Sequence, residues 1–194
     1  MRWLIALSLL FTVAAQATPA PGRAAVASAH PLATEAGFEI LDQGGNAFDA
    51  AVAVAAALAV VEPYSAGMGG GGFWLLHRQS DGKQTMVDAR EMAPGAASAD
   101  MYQDRNGKVI RDKAINGPLA AGIPGQAAAF VHLARHYGKL PLRTTLAPAI
   151  RLARDGFDVE DHYRTLAGYR VDVLNRYPAA AAALLDPAKV PAGG

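Results

Sequence analysis

Among the residues of this 194-residue chain, Arg90 is the one best suited to chemistry. A guanidinium presents a planar fork that holds a carboxylate through two parallel hydrogen bonds, fixing orientation as well as charge. Arg90 stands in Asp88-Ala89-Arg90-Glu91, between two acidic side chains. Residue type alone gives it the plainer role of a surface arginine paired with Asp88 or Glu91. The adjacent Thr144 and Thr145 lead into Leu146-Ala147-Pro148-Ala149-Ile150, a helical pattern. His30, directly before Pro31, suits a helix cap better than a general base, and no serine or cysteine constellation accompanies it. His132 and His136 are spaced to share a helix face, but H-x-x-x-H without an intervening glutamate motif or a third ligand is weak metal chemistry. No metal and no cofactor is expected. Residues 67–72, Gly-Met-Gly-Gly-Gly-Gly, satisfy G-x-G-x-x-G. A dinucleotide fingerprint needs a strand before and a helix after; here the order is reversed, and no Lys-Ser/Thr follows for a P-loop. The glycines therefore read as sites where backbones approach closely.

The elements that must position Arg90 are legible on both sides of it. Phe73-Trp74-Leu75-Leu76-His77 has the composition and length of a strand, and Ser80-Asp81-Gly82-Lys83 supplies an Asp-Gly pair suited to a tight hairpin turn. A second strand runs through Thr85-Met86-Val87, which leaves Arg90 where that strand passes into a loop. Upstream, a helix begins at His30-Pro31 and ends at Gly44-Gly45, with Phe38 and Leu41 on one face. Asn46 caps a second helix over 47–61, with Asp49 adding negative charge at its N-terminus and Glu62-Pro63 ending it. That helix is apolar on all sides and is predicted to be buried, yet it is too short for a convincing membrane span. Residues 93–122 read as irregular, with a turn at 105–108. Helices return around Phe130, Leu133 and Tyr137, closed by Gly138, and around Leu146, Ile150 and Ala153, closed by Gly156. A further helix places Tyr163, Leu166, Ala167, Val171 and Leu174 on one face, and the alanine run 179–183 after Pro178 is a last helical candidate.

Five segments in order resemble the γ-glutamyltranspeptidases (glutathione hydrolases). They are Ser28-Ala29-His30-Pro31-Leu32-Ala33-Thr34-Glu35-Ala36-Gly37, Gln43-Gly44-Gly45-Asn46-Ala47-Phe48-Asp49-Ala50-Ala51, Glu62-Pro63 with residues 67–73, Asp88-Ala89-Arg90-Glu91-Met92-Ala93-Pro94, and Ala121-Gly122-Ile123-Pro124-Gly125. The resemblance spans residues 22–158 and implies an α+β fold, part of the four-layer αββα sandwich of N-terminal nucleophile hydrolases. It implies that Arg90 grips the α-carboxylate of a γ-glutamyl group, with Glu91 orienting it. The implied substrate is glutathione or another γ-glutamyl amide. The family's nucleophile is a threonine freed at the start of a small subunit by self-cleavage of a precursor. No position here matches it, so the chain is expected to hold no catalytic residue, to be the front part of a large subunit, and to be inactive alone. A related glutaryl or cephalosporin acylase and a noncatalytic truncated homologue are the competing readings.

Composition bounds the rest. With 18 basic and 17 acidic residues and no block of either sign, nothing points to nucleic acid or an anionic membrane. Met1-Arg2-Trp3, the apolar run 4–15 and Ala15-Gln16-Ala17 form a signal-peptide pattern over 1–17, leaving residues 18–194 as the mature portion with no stable membrane insertion. Zero cysteines in an exported chain fit a bacterial periplasmic or secreted protein.

Overall fold

A computed structural model describes residues 24–185; the signal-peptide pattern lies outside the described residues. Helix α1, Pro31–Asp42, begins with Pro31 at its first turn and His30 as its N-cap, the imidazole Nδ1 accepting the Leu32 amide at 3.2 Å. It closes on Gly44, whose φ of 88° only glycine adopts freely. There the Gly45 amide donates to the Ile40 carbonyl and the Gly44 amide to Leu41, a Schellman ending. Helix α2, Ala47–Val61, starts with a capping box: Asn46 Oδ1 accepts the amides of Phe48 and Asp49, and Asp49 Oδ2 accepts the Asn46 amide at 2.9 Å.

The buried face of α1 is Ala33, Ala36, Gly37 and Ile40, which is not the face that Phe38 and Leu41 share. Phe38 is exposed. Small residues win because α1 lies close against α2: a Cβ on Gly37 would sit 2.8 Å from the Val54 side chain and 2.8 Å from that of Val26. Helix α2 is the central element, packing against α1 and three later helices. None of its residues beyond Ala47 is exposed, which agrees with its apolar circumference.

Strands β1, Phe73–Arg78, and β2, Lys83–Asp88, pair antiparallel with Trp74 opposite Val87 and Leu76 opposite Thr85. The Asp81-Gly82 turn has Gly82 at φ 67° and is tied by Arg78, whose guanidinium donates twice to the Asp81 carboxylate. Trp74, Leu76 and Val87 face the core, Trp74 meeting Phe130 edge to face at 5.8 Å. The alternate residues Phe73, Leu75 and Met86 are 63%, 75% and 64% exposed, so the second face of the sheet is apolar and uncovered.

Residues 93–122 are less irregular than expected, containing the short α3, Arg111–Ile115, and a 3-10 turn, Pro118–Ala120. The turn at 105–108 is present, with Gly107 at φ 76°. Helix α4, Gln126–His136, buries Ala129, Phe130 and Leu133. A four-residue α5, Leu142–Thr145, leads into α6, Ala147–Asp155, which ends at Gly156 with φ 85°. Pro148 and Ala149 form the buried side of α6, while Ile150 and Ala153 face outward. The single helix expected over 163–174 is two, α7, Asp161–Gly168, and α8, Val171–Leu174, parted at Tyr169 and Arg170. The Arg170 guanidinium is held by Asn116 Oδ1 at 2.7 Å, and Gly168 lies where the first helix ends. Helix α9, Pro178–Leu184, covers the alanine run. Among the described residues no helix is long and apolar enough to cross a membrane.

Candidate functional site

Arg90 sits at a junction of three backbone segments. The hairpin ladder continues past Asp88 by one more pair, the Ala89 amide donating to Gly72 O at 3.0 Å and the Gly72 amide to Ala89 O at 3.2 Å. The chain then turns, with Asp88 Oδ1 accepting the Arg90 amide at 2.9 Å. Immediately beyond, Met92 and Ile123 exchange amide and carbonyl at 3.1 and 2.8 Å, closing the 93–122 excursion onto the site. The third segment enters at α4, whose Gln126 amide donates to Gly70 O at 3.1 Å.

Glycine is required at this crossing by distance. A Cβ on Gly71 would lie 2.3 Å from Ala89 O and 2.8 Å from Arg90 Cα. One on Gly125 would lie 2.2 Å from Ala89 O and 2.8 Å from Arg90 O. The backbone carrying the guanidinium is therefore held against two residues that have no side chain. Within the glycine run the close backbone approach is made at Gly71, whereas a Cβ on Gly69 would meet nothing within 4 Å, and Gly125 is a clamp that the sequence did not disclose. Its only trace there was a second glycine-flanked segment, Gly122-Ile123-Pro124-Gly125, with no indication of what it touched.

The Arg90 side chain is 54% exposed, and its Nη2 lies 3.3 Å from Glu91 Oε2. Glu91 is folded inward between Gly70 and Gly122, where an added Cβ would stand 3.2 Å and 2.9 Å from its side chain. Its Oε2 is buried without an aligned hydrogen bond among the described residues, so the contact with Arg90 is an ion pair held by charge. A half-exposed guanidinium backed by one carboxylate keeps donors for an outside anion. Beside it runs a groove of about 360 Å³ lined by Asp88, Arg90, Met92, Ile123, Ala128 and His132. Its walls are mostly apolar, with Arg90 and Asp88 giving it a charged end.

The other candidates fall elsewhere. Thr145 is fully buried and its hydroxyl donates to Leu142 O at 2.9 Å, a contact internal to α5. The His132 and His136 rings lie 4.5 Å apart, tilted at 43°, and among the described residues no group of three His, Cys, Asp or Glu side chains converges as a metal site. His30 caps α1 and reaches Glu160 only at 4.0 Å.

The γ-glutamyltranspeptidase family description matches residues 33–194. The chain belongs to that family. It is 48% identical over 136 residues to the glutathione hydrolase proenzyme of Escherichia coli (strain K12), covering 70% of this chain and 23% of that protein. It is 42% identical over 175 residues to the acylase ACY 1 proenzyme of Pseudomonas sp. (strain V22), covering 86% of this chain and 31% of that one. Among solved structures, Helicobacter pylori γ-glutamyltranspeptidase superposes with a TM-score of 0.78 at 37% identity, over 81% of this chain and 45% of that chain. The chain thus spans 23 to 31% of the length of these two curated relatives. Its helices and hairpin are part of an α+β N-terminal nucleophile hydrolase fold.

Proposed function

We propose that this chain supplies the carboxylate-binding wall of an enzyme that transfers or hydrolyses the γ-glutamyl group of glutathione and related amides. The observation that carries the reading is Arg90, fixed through its main chain yet half exposed at the side chain, beside a groove and backed by Glu91. In this reading Arg90 takes the α-carboxylate of the γ-glutamyl group in a bidentate pair, and Glu91 orients the fork. The reacting amide is then attacked by a threonine hydroxyl activated by its own free amine, which forms an acyl-enzyme for transfer to water or an amino acid. That threonine comes from a small subunit, a role for which the internal, buried Thr145 is unsuited. Residues 18–194 alone release no product, and the complete protein is exported to the periplasm or secreted, its leader removed after Ala17.

The test uses the complete precursor. Arg90→Lys keeps the charge and loses the fork, so KM for γ-glutamyl-p-nitroanilide rises while self-cleavage continues. Arg90→Ala loses more: with the half-exposed guanidinium closed off from water by bound substrate, truncating one partner of a buried charged pair costs about 2 to 5 kcal/mol, roughly 30-fold to several thousand-fold in kcat/KM. An analogue without the α-carboxylate is poor for the parent and indifferent to the substitution. Equal slowing of both substrates in a precursor that matures normally would make Arg90 structural. A glutaryl or cephalosporin acylase is the second reading, favoured by the 86% coverage of the acylase relative. A glutaryl amide turned over faster than its γ-glutamyl counterpart decides for it.

A further inference from the structure

The Asn-Gly dipeptide occurs twice in this chain, at Asn106-Gly107 and at Asn116-Gly117, and the two are held in opposite ways. Asn-Gly is the sequence in which an asparagine amide is most easily attacked by its own backbone, because glycine has no side chain to obstruct the approach of its nitrogen. At the first site the whole tip, residues 105–109, is exposed. The Asn106 side-chain amide makes no hydrogen bond among the described residues; only its main-chain N–H is engaged, donating to Asp104 Oδ1 at 2.8 Å. At the second site both ends of the amide are committed. Asn116 Nδ2 donates to Asp112 Oδ1 at 2.7 Å, and Asn116 Oδ1 accepts from Arg170 Nη2 at 2.7 Å. Gly117 is also confined, with the Tyr177 hydroxyl 3.1 Å from where its Cβ would be.

We propose that Asn106 is a site of spontaneous conversion to aspartate and isoaspartate, and that Asn116 is protected from the same reaction by its two side-chain hydrogen bonds. The Gly107 nitrogen, after losing its proton to solvent base, attacks Asn106 Cγ. The new C–N bond forms as the Cγ–Nδ2 bond breaks, and the nitrogen leaves as ammonia. Water then opens the five-membered imide at either carbonyl, giving an α-linked aspartate or a β-linked isoaspartate. At 106 the attacking nitrogen is engaged by one hydrogen bond, from the Gly107 amide to Asp104 O at 3.1 Å, and the turn around it by the amides of residues 106 and 108 donating to Asp104 Oδ1. It lies in an exposed turn beyond the isolated Gln103 and Val109 bridge, and segments of that kind open at low free-energy cost. Release at 116 must break contacts to α3 and to Arg170 together, because the amide carbon cannot turn toward Gly117 with either end held. The product places a new carboxylate beside Asp104, whose carboxylate already accepts the amides of residues 106 and 108. The β-linkage also adds an atom to a turn closed by one bridge. The affected hairpin lies within the excursion that begins at Met92 and returns at Ile123 beside Arg90.

The whole expressed protein is aged in warm, mildly alkaline buffer, and its peptides are followed by mass spectrometry and by enzymatic methyl-labelling of isoaspartate. The expected result is conversion in the peptide containing Asn106 at least ten times faster than in the peptide containing Asn116. In urea the two rates converge, because the contacts protecting Asn116 are lost. Arg170→Ala frees one end of the Asn116 amide and speeds conversion there without changing Asn106. Equal rates in the native protein, faster conversion at Asn116, or an unmodified Asn106 after Asn116 has reacted in urea would each overturn the proposal.

Discussion

Replacing Gly125 by alanine tests whether close backbone contact positions the segment that carries the Arg90 guanidinium. The added Cβ would stand 2.2 Å from Ala89 O, 2.6 Å from Ala89 C and 2.8 Å from Arg90 O, whereas real contacts under 3.0 Å essentially do not occur. The two segments must therefore separate by at least 0.8 Å at the closest contact. All three atoms are backbone, so no flexible side chain can yield in their place. The displaced residues are those that carry the guanidinium, and a misplacement of about 1 Å in a substrate-positioning group costs on the order of 100-fold in rate. On the proposed role of Arg90, Gly125→Ala in the complete precursor is expected to lower kcat/KM for γ-glutamyl-p-nitroanilide by roughly 100-fold with Arg90 intact. An analogue lacking the α-carboxylate should be little affected. Gly69→Ala is the internal control, since its Cβ would meet nothing within 4 Å. Its kinetics and self-cleavage, read by gel, should match the parent. A fully active Gly125→Ala enzyme, or a Gly69→Ala enzyme damaged as badly, would refute the clamp.

Asp49 is 1% exposed and accepts two amides at 2.9 Å, from Asn46 and Lys139, so Asp49→Ala is expected to destabilise the folded protein by roughly 3 to 5 kcal/mol. A urea midpoint unchanged from the parent would contradict this. At the hairpin turn the Arg78 guanidinium lowers the Asp81 carboxyl to about 2. Because the folded value lies below the unfolded one, about 3.9, the turn gains from this pair above about pH 4 and loses it as pH falls toward 2. NMR titration of Asp81 should follow that course, and Arg78→Gln should return its midpoint to the ordinary range. A midpoint that stays low in Arg78→Gln would assign the shift to other contacts.

Local chemistry wrote itself plainly into the sequence wherever one short segment decides the outcome. The Asp81-Gly82 turn, the Asn46 and Asp49 cap, the Gly44 stop and the Pro63 break each depend on a few neighbouring residues, and each is where it was expected. Faces were harder. In α1 the large apolar residue Phe38 is exposed while Ala33, Ala36 and Gly37 are buried, since close helix contact selects small side chains. In α6 the helical spacing of Leu146, Ile150 and Ala153 marks the helix, but its buried side is Pro148 and Ala149. The 161–174 stretch kept helical spacing on both sides of a break whose stabilising partner, Asn116, lies 54 residues away. At the candidate site the family-like motif singles out Arg90 in the sequence, whereas the packing of Gly125 against it goes with a pairing between Met92 and Ile123 that no spacing announces.

The Asn46 and Asp49 cap has a kinetic consequence. Its local half forms within one turn of chain, but Asn46 Nδ2 also donates to Tyr137 O and the Asp49 carboxylate accepts the Lys139 amide, partners 91 and 90 residues downstream. During synthesis the central helix can begin winding early, while its buried acid keeps an unfilled place until residue 139 has emerged and α4 has docked. Closing so long a loop is entropically slow, and a late step of that kind makes final packing depend on distant chain. Any shortened version ending before Lys139 would carry that carboxylate inside its most apolar helix with only the Asn46 amide to meet it, and would remain loosely packed for that reason.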